Sequence, residues 1–237
     1  MLSQNDLIFQ HPDFVVLNKP AGLGMHRQHG NPGLVCELAE LTGESDWFLV
    51  HRLDKVTSGL LLVARHSEAA AELAQLFAER QIEKYYLALS AQKPHKKQGR
   101  IIGDMEKARR GQWKLTASRQ APAVTQFFSQ SLAPGVRAFL LKPHTGKTHQ
   151  LRVAMKSLSS PILGDDLYGG HKADRTYLHA YALRFRYQQH DYEFYQPART
   201  GEHFDLLNQQ LDSLGYRLPW QQHWPKIGAV TSTSKNN

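Results

Sequence analysis

The chain has 237 residues, of which 41% are hydrophobic and 21% are charged. This composition is typical of a folded globular protein and excludes disordered, collagen-like and coiled-coil chains. No apolar run approaches the roughly 18 residues of a membrane span, and the N-terminal sequence lacks the pattern of a secretory signal. A single cysteine, Cys36, excludes an internal disulfide framework and a cysteine-rich zinc site. We therefore expect a cytoplasmic protein, with a disordered tail over residues 229–237.

The net charge of +8 reflects 29 Lys and Arg residues against 21 Asp and Glu residues. Most of the excess lies in residues 92–119, called here the basic segment, which hold nine basic and two acidic residues. This clustering exceeds what solubility needs and predicts contact with the phosphates of a nucleic acid. Trp113 lies within the segment and is suited to stacking on a base. The alternatives are a solvated loop or an acidic membrane surface, although no basic amphipathic helix supports the membrane.

Hydrophobic periodicity predicts an α+β fold with a mostly antiparallel sheet, because strands outnumber helices and do not alternate regularly with them. In chain order, the predicted strands cover residues 13–18, 48–50, 59–64, 84–90, 124–129, 136–142, 177–185 and 192–195. One helix is predicted to begin with Ser67 as its N-cap, and Ala69 and Leu73 lie on its apolar face. A second helix is predicted over 148–157. The glycines of the basic segment are suited to hairpins.

A polar insert at residues 51–58, with the sequence HRLDKVTS, separates two apolar strands. Loops held by rigid strands are favoured positions for function. Asp54 in this insert is suited to act as a nucleophile, a general base or a metal ligand. The structural alternative is an Asp–Arg ion pair that fixes a turn, with Thr57 and Ser58 as caps. The pattern alone leaves both interpretations open.

A second polar stretch, residues 143–152, lies at the predicted junction of a strand and a helix. Its Gly-Lys-Thr sequence is part of a phosphate-loop motif, but that motif requires glycine at position 141, where the chain has Leu141. A nucleotide-dependent transferase is therefore disfavoured, although the helix start could hold one phosphate. His149 and Arg152 would share a helical face. Arg152 is suited to pair with an acid in a cleft; otherwise it is an exposed helix arginine.

Thirteen histidines raise the question of a metal site. Neither H-E-x-x-H nor C-x-x-C occurs in the chain, and the pairs His26/His29 and His144/His149 lack accompanying carboxylates. We therefore expect no metal.

Six motifs together resemble those of the RluA family of RNA pseudouridine synthases, over residues 14–197. They are N-K-P-x-G at 18–22, H-R-L-D-x-x-T-S-G-L-L at 51–61, K-x-Y-x-A at 84–88, T-G-R-T-H-Q-[IL]-R-V at 145–153, P-I-x-G-D-x-x-Y-G at 161–169 and L-H-A at 178–180. The chain departs from this pattern at Lys147, where arginine is common, and at Ala154, where histidine is usual. Lys147 keeps the charge but loses the bidentate fork of arginine, and both departures bear on the identity of the target.

The resemblance implies a pseudouridine synthase fold, with a mixed, mostly antiparallel central sheet, flanking helices and a central active-site cleft. We expect one catalytic domain over residues 1–228, formed by two subdomains that share one sheet, and no separate N-terminal RNA-binding domain. The implied reaction converts uridine in tRNA or rRNA to pseudouridine, by cleaving the N1–C1′ bond and forming a C5–C1′ bond after base flipping. Because this isomerisation involves no net redox change, we expect no cofactor. A monomer is also expected.

By the same resemblance, Asp54 is the catalytic aspartate, by a nucleophilic or a glycal route. Arg152 is the arginine that pairs with it, and Tyr86 stacks on the uracil and assists proton removal at C5. The residues expected to contact RNA are Lys19, His51, Arg52, Thr57, Lys84, Lys107, Arg109, Arg110, Lys147 and His149. A non-catalytic RNA-binding protein on the same scaffold is the alternative. The presence of all three catalytic candidates favours the enzyme, because RNA binding alone does not need a buried acid beside a polyanion.

Overall fold

The computed structural model describes residues 1–27 and 32–227; His29 and the predicted tail over 229–237 lie outside the described residues. The described part forms an α+β protein, as predicted. Its strands are β1 (Leu7–Gln10), β2 (Phe14–Lys19), β3 (Phe48–Leu49), β4 (Ser58–Ala64), β5 (Glu83–Ser90), β6 (Gln98–Gly103), β7 (Met105–Lys107), β8 (Trp113–Leu115), β9 (Ala123–Ala133), β10 (Val136–Pro143), β11 (Leu178–Tyr187) and β12 (His190–Tyr195). Its α-helices are α1 (Leu34–Thr42), α2 (Ser67–Ala78), α3 (Gln150–Ser157) and α4 (Glu202–Gln209).

Two compact units make up the chain. The first contains Met1–Lys84 and His179–Ala198, and the second contains Tyr85–Leu178 and the chain from Arg199 onward. In the first unit, β2 pairs antiparallel with both β1 and β4. Strand β4 pairs antiparallel with β3 and parallel with β11, which pairs antiparallel with β12. The pairing in this unit is therefore mixed but mostly antiparallel.

The parallel contact between β4 and β11 depends on Gly59. A Cβ atom at this position would lie 2.2 Å from the carbonyl oxygen of Ala180, and the φ angle of Gly59 is +112°. Both features require glycine, because a side chain would collide with the neighbouring backbone and strain its own. The glycine thus lets β11 approach the strand that follows the polar insert.

The core of the first unit lies between its sheet and α2. Strands β2 and β4 are buried along their whole length, which explains the apolar runs over residues 14–17 of β2 and 60–64 of β4. Leu73 of α2 packs into this core, as its helical spacing predicted. The prediction of Ser67 as N-cap is wrong, because the side chain of His66 accepts the Ala69 amide and caps the helix one residue earlier.

In the second unit, β10 pairs antiparallel with β5 and β9, and β9 pairs antiparallel with β6. Strands β7 and β8 form a separate hairpin within the basic segment. Helix α3 begins at Gln150, two residues later than predicted, because the backbone of His149 is left-handed with a φ of 57°. His149 therefore precedes the helix and does not share a helical face with Arg152.

The chain after α4 covers part of this sheet. The ring centroid of Trp224 lies 4.9 Å from that of Phe128 and 5.9 Å from that of Tyr85. The Nζ atom of Lys142 is 5.0 Å from the Tyr85 ring centroid. Gln130 adds a hydrogen bond from its Nε2 to the carbonyl of Leu214, at 2.6 Å. Trp224 and Lys142 thus cover Tyr85, which has no exposed surface.

Candidate active site

Asp54 lies on the loop that joins β3 to β4. The neighbouring Leu53 is buried, as is Thr57 at the end of the loop. The backbone carbonyl of Asp54 accepts a hydrogen bond from the Thr57 amide at 3.0 Å, which closes a tight turn. Asp54 is partly exposed, and the fully buried strand β4 begins at Ser58. The candidate carboxylate is therefore carried by a short turn that a rigid strand holds in place.

His51 fixes the start of this loop. Its Nε2 accepts a hydrogen bond from the backbone N–H of Leu62 at 2.9 Å, and its ring stacks on Phe77 with 4.4 Å between centroids. The Nζ atom of Lys84 lies 5.5 Å from the same Phe77 ring. Burial, and secondarily the Lys84 charge, lower the pKa of His51 to about 3. Burial also lowers the pKa of Lys84. His51 is therefore a neutral support of the loop at physiological pH.

This shift predicts that acid destabilises the protein through His51. The pKa of His51 falls from its ordinary 6.5 to about 3 on folding, so the unfolded chain binds the extra proton between these values. The free energy of unfolding should then decrease as the pH is lowered through this window, by about 1.4 kcal/mol per pH unit from this group. Above pH 6.5 neither state is protonated at His51, and this contribution is constant.

Urea unfolding of a His51→Gln variant between pH 6.5 and 4.5 checks this prediction. Glutamine keeps an acceptor for the Leu62 amide but does not titrate. The slope of the unfolding free energy against pH should therefore decrease by about 1.4 kcal/mol per pH unit, the contribution of one proton. The control is His190→Gln, which changes an exposed histidine of the same unit and should retain the parent slope. A His51→Gln variant with the parent slope would contradict the prediction.

Lys19 ties a second loop to the Asp54 turn. Its side chain is fully buried, and its Nζ donates to the carbonyls of Pro20 and Leu23, both at 2.9 Å. The same Nζ lies 3.5 Å from the carbonyl of Lys55. The amide of Gly22 donates to that carbonyl as well, at 2.7 Å. Burial of a lysine is costly unless its ammonium group is hydrogen-bonded, and these carbonyls meet that need.

His179 contacts the last residue of the polar insert, Ser58. The Oγ of Ser58 and the Nδ1 of His179 are 2.8 Å apart, and the Nε2 of His179 is 2.7 Å from the carbonyl oxygen of Gln196. Because a carbonyl only accepts, Nε2 carries a proton, and in the neutral imidazole Nδ1 then accepts the Ser58 hydroxyl. Ser58 and His179 are both buried. The sequence marked His179 only as part of the L-H-A motif, without a role.

In the second unit, Tyr86 lies on β5 opposite Leu141 of β10 and is 8% exposed. Leu141 is itself completely buried within its strand. The residues before Gly146 therefore form a strand rather than a glycine-rich loop, in agreement with the rejection of a phosphate-loop motif.

Arg152 of α3 forms a buried bidentate ion pair with Asp165. Its Nε donates to Oδ2 at 2.8 Å and its Nη2 donates to Oδ1 at 2.7 Å. The two side chains are 7% and 1% exposed, which excludes the alternative of an exposed helix arginine. Paired donors and acceptors of this kind fix the plane of a guanidinium as well as its position. Asp165 belongs to the P-I-x-G-D motif, which carried no role in the sequence; the pairing of Arg152 with Asp54 stays a prediction.

Gln150 holds the loop that precedes α3. Its Nε2 donates to the Val124 carbonyl at 3.1 Å and lies 3.0 Å from the Oγ1 of Thr125. Its Oε1 accepts the Thr145 hydroxyl at 2.7 Å and the Lys147 amide at 3.0 Å. All four positions of the amide group are therefore used, and they hold the loop in a conformation in which Lys147 is exposed.

Strand β6 lies between two groups of bases in the basic segment. The nine basic residues of this segment are all exposed. Lys93, Lys96 and Lys97, called here the lysine cluster, come before β6, whereas five bases follow it. These five are Lys107, Arg109, Arg110, Lys114 and Arg119, and we call residues 104–119 the basic hairpin. A six-residue strand spans roughly 20 Å, so β6 holds the two groups at its opposite ends. In the basic hairpin, the Nζ of Lys107 lies 5.9 Å from the ring centroid of Trp113.

Within residues 1–27 and 32–227, no helix has both the length and the apolar character needed to cross a bilayer. In the same residues, no group of three or more His, Cys, Asp or Glu side chains is arranged to hold a metal ion.

Known proteins are similar to this chain in sequence and in fold. Residues 13–157 match the family model described as RNA pseudouridylate synthase. A Haemophilus influenzae protein named as an uncharacterized RNA pseudouridine synthase is 56% identical over 184 residues, which cover 77% of this chain and 82% of the relative. Ribosomal large subunit pseudouridine synthase C of Rickettsia bellii is 37% identical over 174 residues, which cover 70% of this chain and 57% of that relative.

The structure of human RNA pseudouridylate synthase domain containing 1 superposes on this chain with a TM-score of 0.72 and 26% identity. The superposition covers 89% of this chain and 94% of the human one. It confirms the predicted fold. The matched residues 13–157 include Asp54, Tyr86 and Arg152.

Proposed function

The chain belongs to the RNA pseudouridylate synthase family, and from this premise we propose that it isomerises a specific uridine of ribosomal or transfer RNA through Asp54. Family membership makes the protein an RNA pseudouridine synthase, an isomerase whose substrate is RNA. The observation that supports the assignment of Asp54 is its position in the chain and in the fold. Asp54 lies in the H-R-L-D motif, on a turn that His51 supports at one end and buried β4 at the other.

The proposed chemistry breaks the N1–C1′ bond and forms a C5–C1′ bond in the same nucleotide. In one route, the Asp54 carboxylate attacks C1′ and the uracil leaves with the bonding electrons. The rotated uracil then displaces the carboxylate through C5. In the other route, Asp54 removes the C2′ proton as the uracil leaves, and that proton returns when C5 attacks C1′. In both routes C5 finally loses its proton, N1 gains one, and the carboxylate is regenerated.

Tyr86 and Arg152 are assigned to this reaction by the family resemblance. Tyr86 would stack on the uracil and assist removal of the C5 proton. Arg152 would keep the carboxylate of Asp54 ionised, because a neighbouring cation favours the charged form of an acid. The ion pair with Asp165 supports this assignment, since it presents the Arg152 guanidinium in one fixed orientation.

The predicted RNA contacts divide by exposure. Five of them are exposed and are assigned to phosphates, namely Arg52, Lys107, Arg109, Arg110 and Lys147. Lys19, His51, Thr57 and Lys84 are instead assigned to supporting the loops around Asp54. Lys19 and Thr57 have almost no exposed surface, and burial lowers the pKa of both His51 and Lys84. His149 is half-buried and contacts Tyr168.

Charge reversal in the basic hairpin should weaken RNA binding and its dependence on salt. Each phosphate contact with a single strand contributes about 0.7 to the slope of log Kobs against log salt concentration. The triple variant Lys107→Glu, Arg109→Glu, Arg110→Glu should therefore reduce the slope by about 2. Fluorescence anisotropy with labelled RNA at several salt concentrations measures this slope.

The matched control reverses the lysine cluster, at Lys93, Lys96 and Lys97. It changes the net charge by the same amount but acts at the other end of β6. We expect it to alter the slope by less than about 0.7, the value of one contact. Equal changes from both triple variants would show that only the net charge matters.

Tritium release from RNA labelled at uridine C5 tests the proposed function, because bond formation at C5 expels the tritium. The RNA should come from cells that lack this gene, so that the target uridine is unmodified. Large-subunit ribosomal RNA is the first substrate to test, because the Rickettsia relative is named for that subunit. Transfer RNA and immature ribosomal particles are the second and third substrates. If the protein binds RNA but releases tritium from none of these three substrates, the proposal is contradicted and a non-catalytic RNA-binding protein is favoured.

A further inference from the structure

Tyr168 connects α3 to the basic hairpin. It lies just after α3 in the sequence and is 2% exposed. Its hydroxyl accepts the backbone N–H of Trp113, in β8, at 3.0 Å. The same hydroxyl lies 2.9 Å from the Nδ1 of His149, the residue that caps α3. One buried oxygen thus joins the hairpin that carries the exposed bases to the residue that immediately precedes the helix of Arg152.

The ring of Tyr168 also contacts the helix. The Cζ of Arg152 lies 4.9 Å from the ring centroid and the Nζ of Lys156 lies 5.7 Å from it. A cation over an aromatic ring is attracted to its face, more strongly when water is excluded. The Arg152 guanidinium is therefore held by the Asp165 carboxylate and by the Tyr168 ring together.

A tight turn fixes Tyr168 relative to Asp165. The amides of Tyr168 and Gly170 donate to the Asp165 carbonyl at 3.2 and 2.9 Å. A Cβ atom at Gly170 would lie 1.9 Å from the carbonyl oxygen of Ile162, so the turn closes too tightly for any other residue. A displacement of Tyr168 would consequently be passed to Asp165 and from there to Arg152.

We propose that Tyr168 is a positioning residue that couples phosphate binding at the basic hairpin to the orientation of Arg152. This inference rests on the proposed function, in which the hairpin binds RNA and Arg152 takes part in the reaction. RNA that orders the hairpin would restrain Trp113, and through the Tyr168 hydroxyl it would restrain the start of α3. In this proposal the hydroxyl links the hairpin to the start of α3, whereas the ring holds the Arg152 guanidinium in place.

A Tyr168→Phe variant separates these two roles, because it removes the hydroxyl and keeps the ring over Arg152. At saturating RNA, the single-turnover rate of tritium release should decrease about tenfold, with the Kd for RNA changing less than about threefold. The control is Tyr177→Phe, which removes another buried hydroxyl of the same unit, one that donates to Asp174 at 2.6 Å. It should lower the thermal midpoint by a similar amount and leave the rate within about twofold. Equal rates in the two variants would overturn the proposal.

Hydrogen exchange provides a readout that does not depend on turnover. The probe is large-subunit ribosomal RNA transcribed in vitro, added to the full chain. In the wild type, RNA should slow amide exchange in both the basic hairpin and α3. In Tyr168→Phe, RNA should still protect the hairpin but no longer α3. Equal protection of α3 in both proteins would overturn the coupling. Coupled protection in a wild type that releases no tritium would overturn the proposed function and leave the coupling intact.

Discussion

Replacement of Asp54 by asparagine is expected to abolish tritium release, with a decrease of at least about 10³-fold. Asparagine has the size of aspartate but can neither attack C1′ as an anion nor accept the C2′ proton. The turn should persist, because its hydrogen bond joins the backbone carbonyl of residue 54 to the Thr57 amide. RNA affinity should remain within about threefold of the wild type or increase slightly, since a negative charge is removed beside a polyanion.

The measurement compares Asp54→Asn with Asp46→Asn in single-turnover assays and in RNA-binding assays. Asp46 is an exposed carboxylate in the same unit, so its variant controls for the change in net charge. We expect the control to retain full activity. Substantial release by Asp54→Asn would remove Asp54 from the mechanism under either route.

Loss of the Asp165 carboxylate is expected to destabilise the second unit strongly. Asp165→Asn leaves the Arg152 guanidinium buried without its counter-charge and places an N–H donor against another donor. Removal of one partner from a buried ion pair costs about 3–5 kcal/mol. An exposed pair is worth about 0–1 kcal/mol. Asp212→Asn, which breaks the exposed pair with Arg217 in the same unit, is therefore the matched control.

Urea unfolding of both variants measures this difference in the free energy of unfolding. A double variant, Asp165→Leu with Arg152→Met, separates stability from function. Apolar replacement of a buried ion pair is often neutral for stability or favourable, so the double variant should recover most of the loss but show no tritium release. Similar costs for Asp165→Asn and Asp212→Asn would show that the buried pair contributes no more than an exposed one.

The strands of the core were predictable because burial on both faces requires apolar runs, as over residues 14–17 of β2 and 60–64 of β4. Helices α1 and α4 were not predicted. They have nine and eight residues, and helices of this length are stabilised mainly by packing rather than by their own propensity. The cap of α2 was assigned one residue too late, because His66 is an uncommon cap and Ser67 a common one.

The residues of the candidate site also include some that the sequence could identify and others whose roles it could not. The sequence by itself determined the family and singled out Asp54, Tyr86 and Arg152, because those assignments depend on residue types in fixed local order. It could not distinguish the buried Lys19 from the exposed Arg52, since a motif shows that a residue is positively charged but not whether it is buried.

Only the tertiary structure decided the roles of the charged and polar residues. It buries Lys19 against backbone carbonyls, joins Arg152 to an acid 13 positions away, and places β6 between two groups of bases in the basic segment. It also places the Tyr168 hydroxyl between β8 and α3. The physical reason is that hydrogen bonding and the cost of burying a charge depend on which groups folding brings together, whatever their separation along the chain.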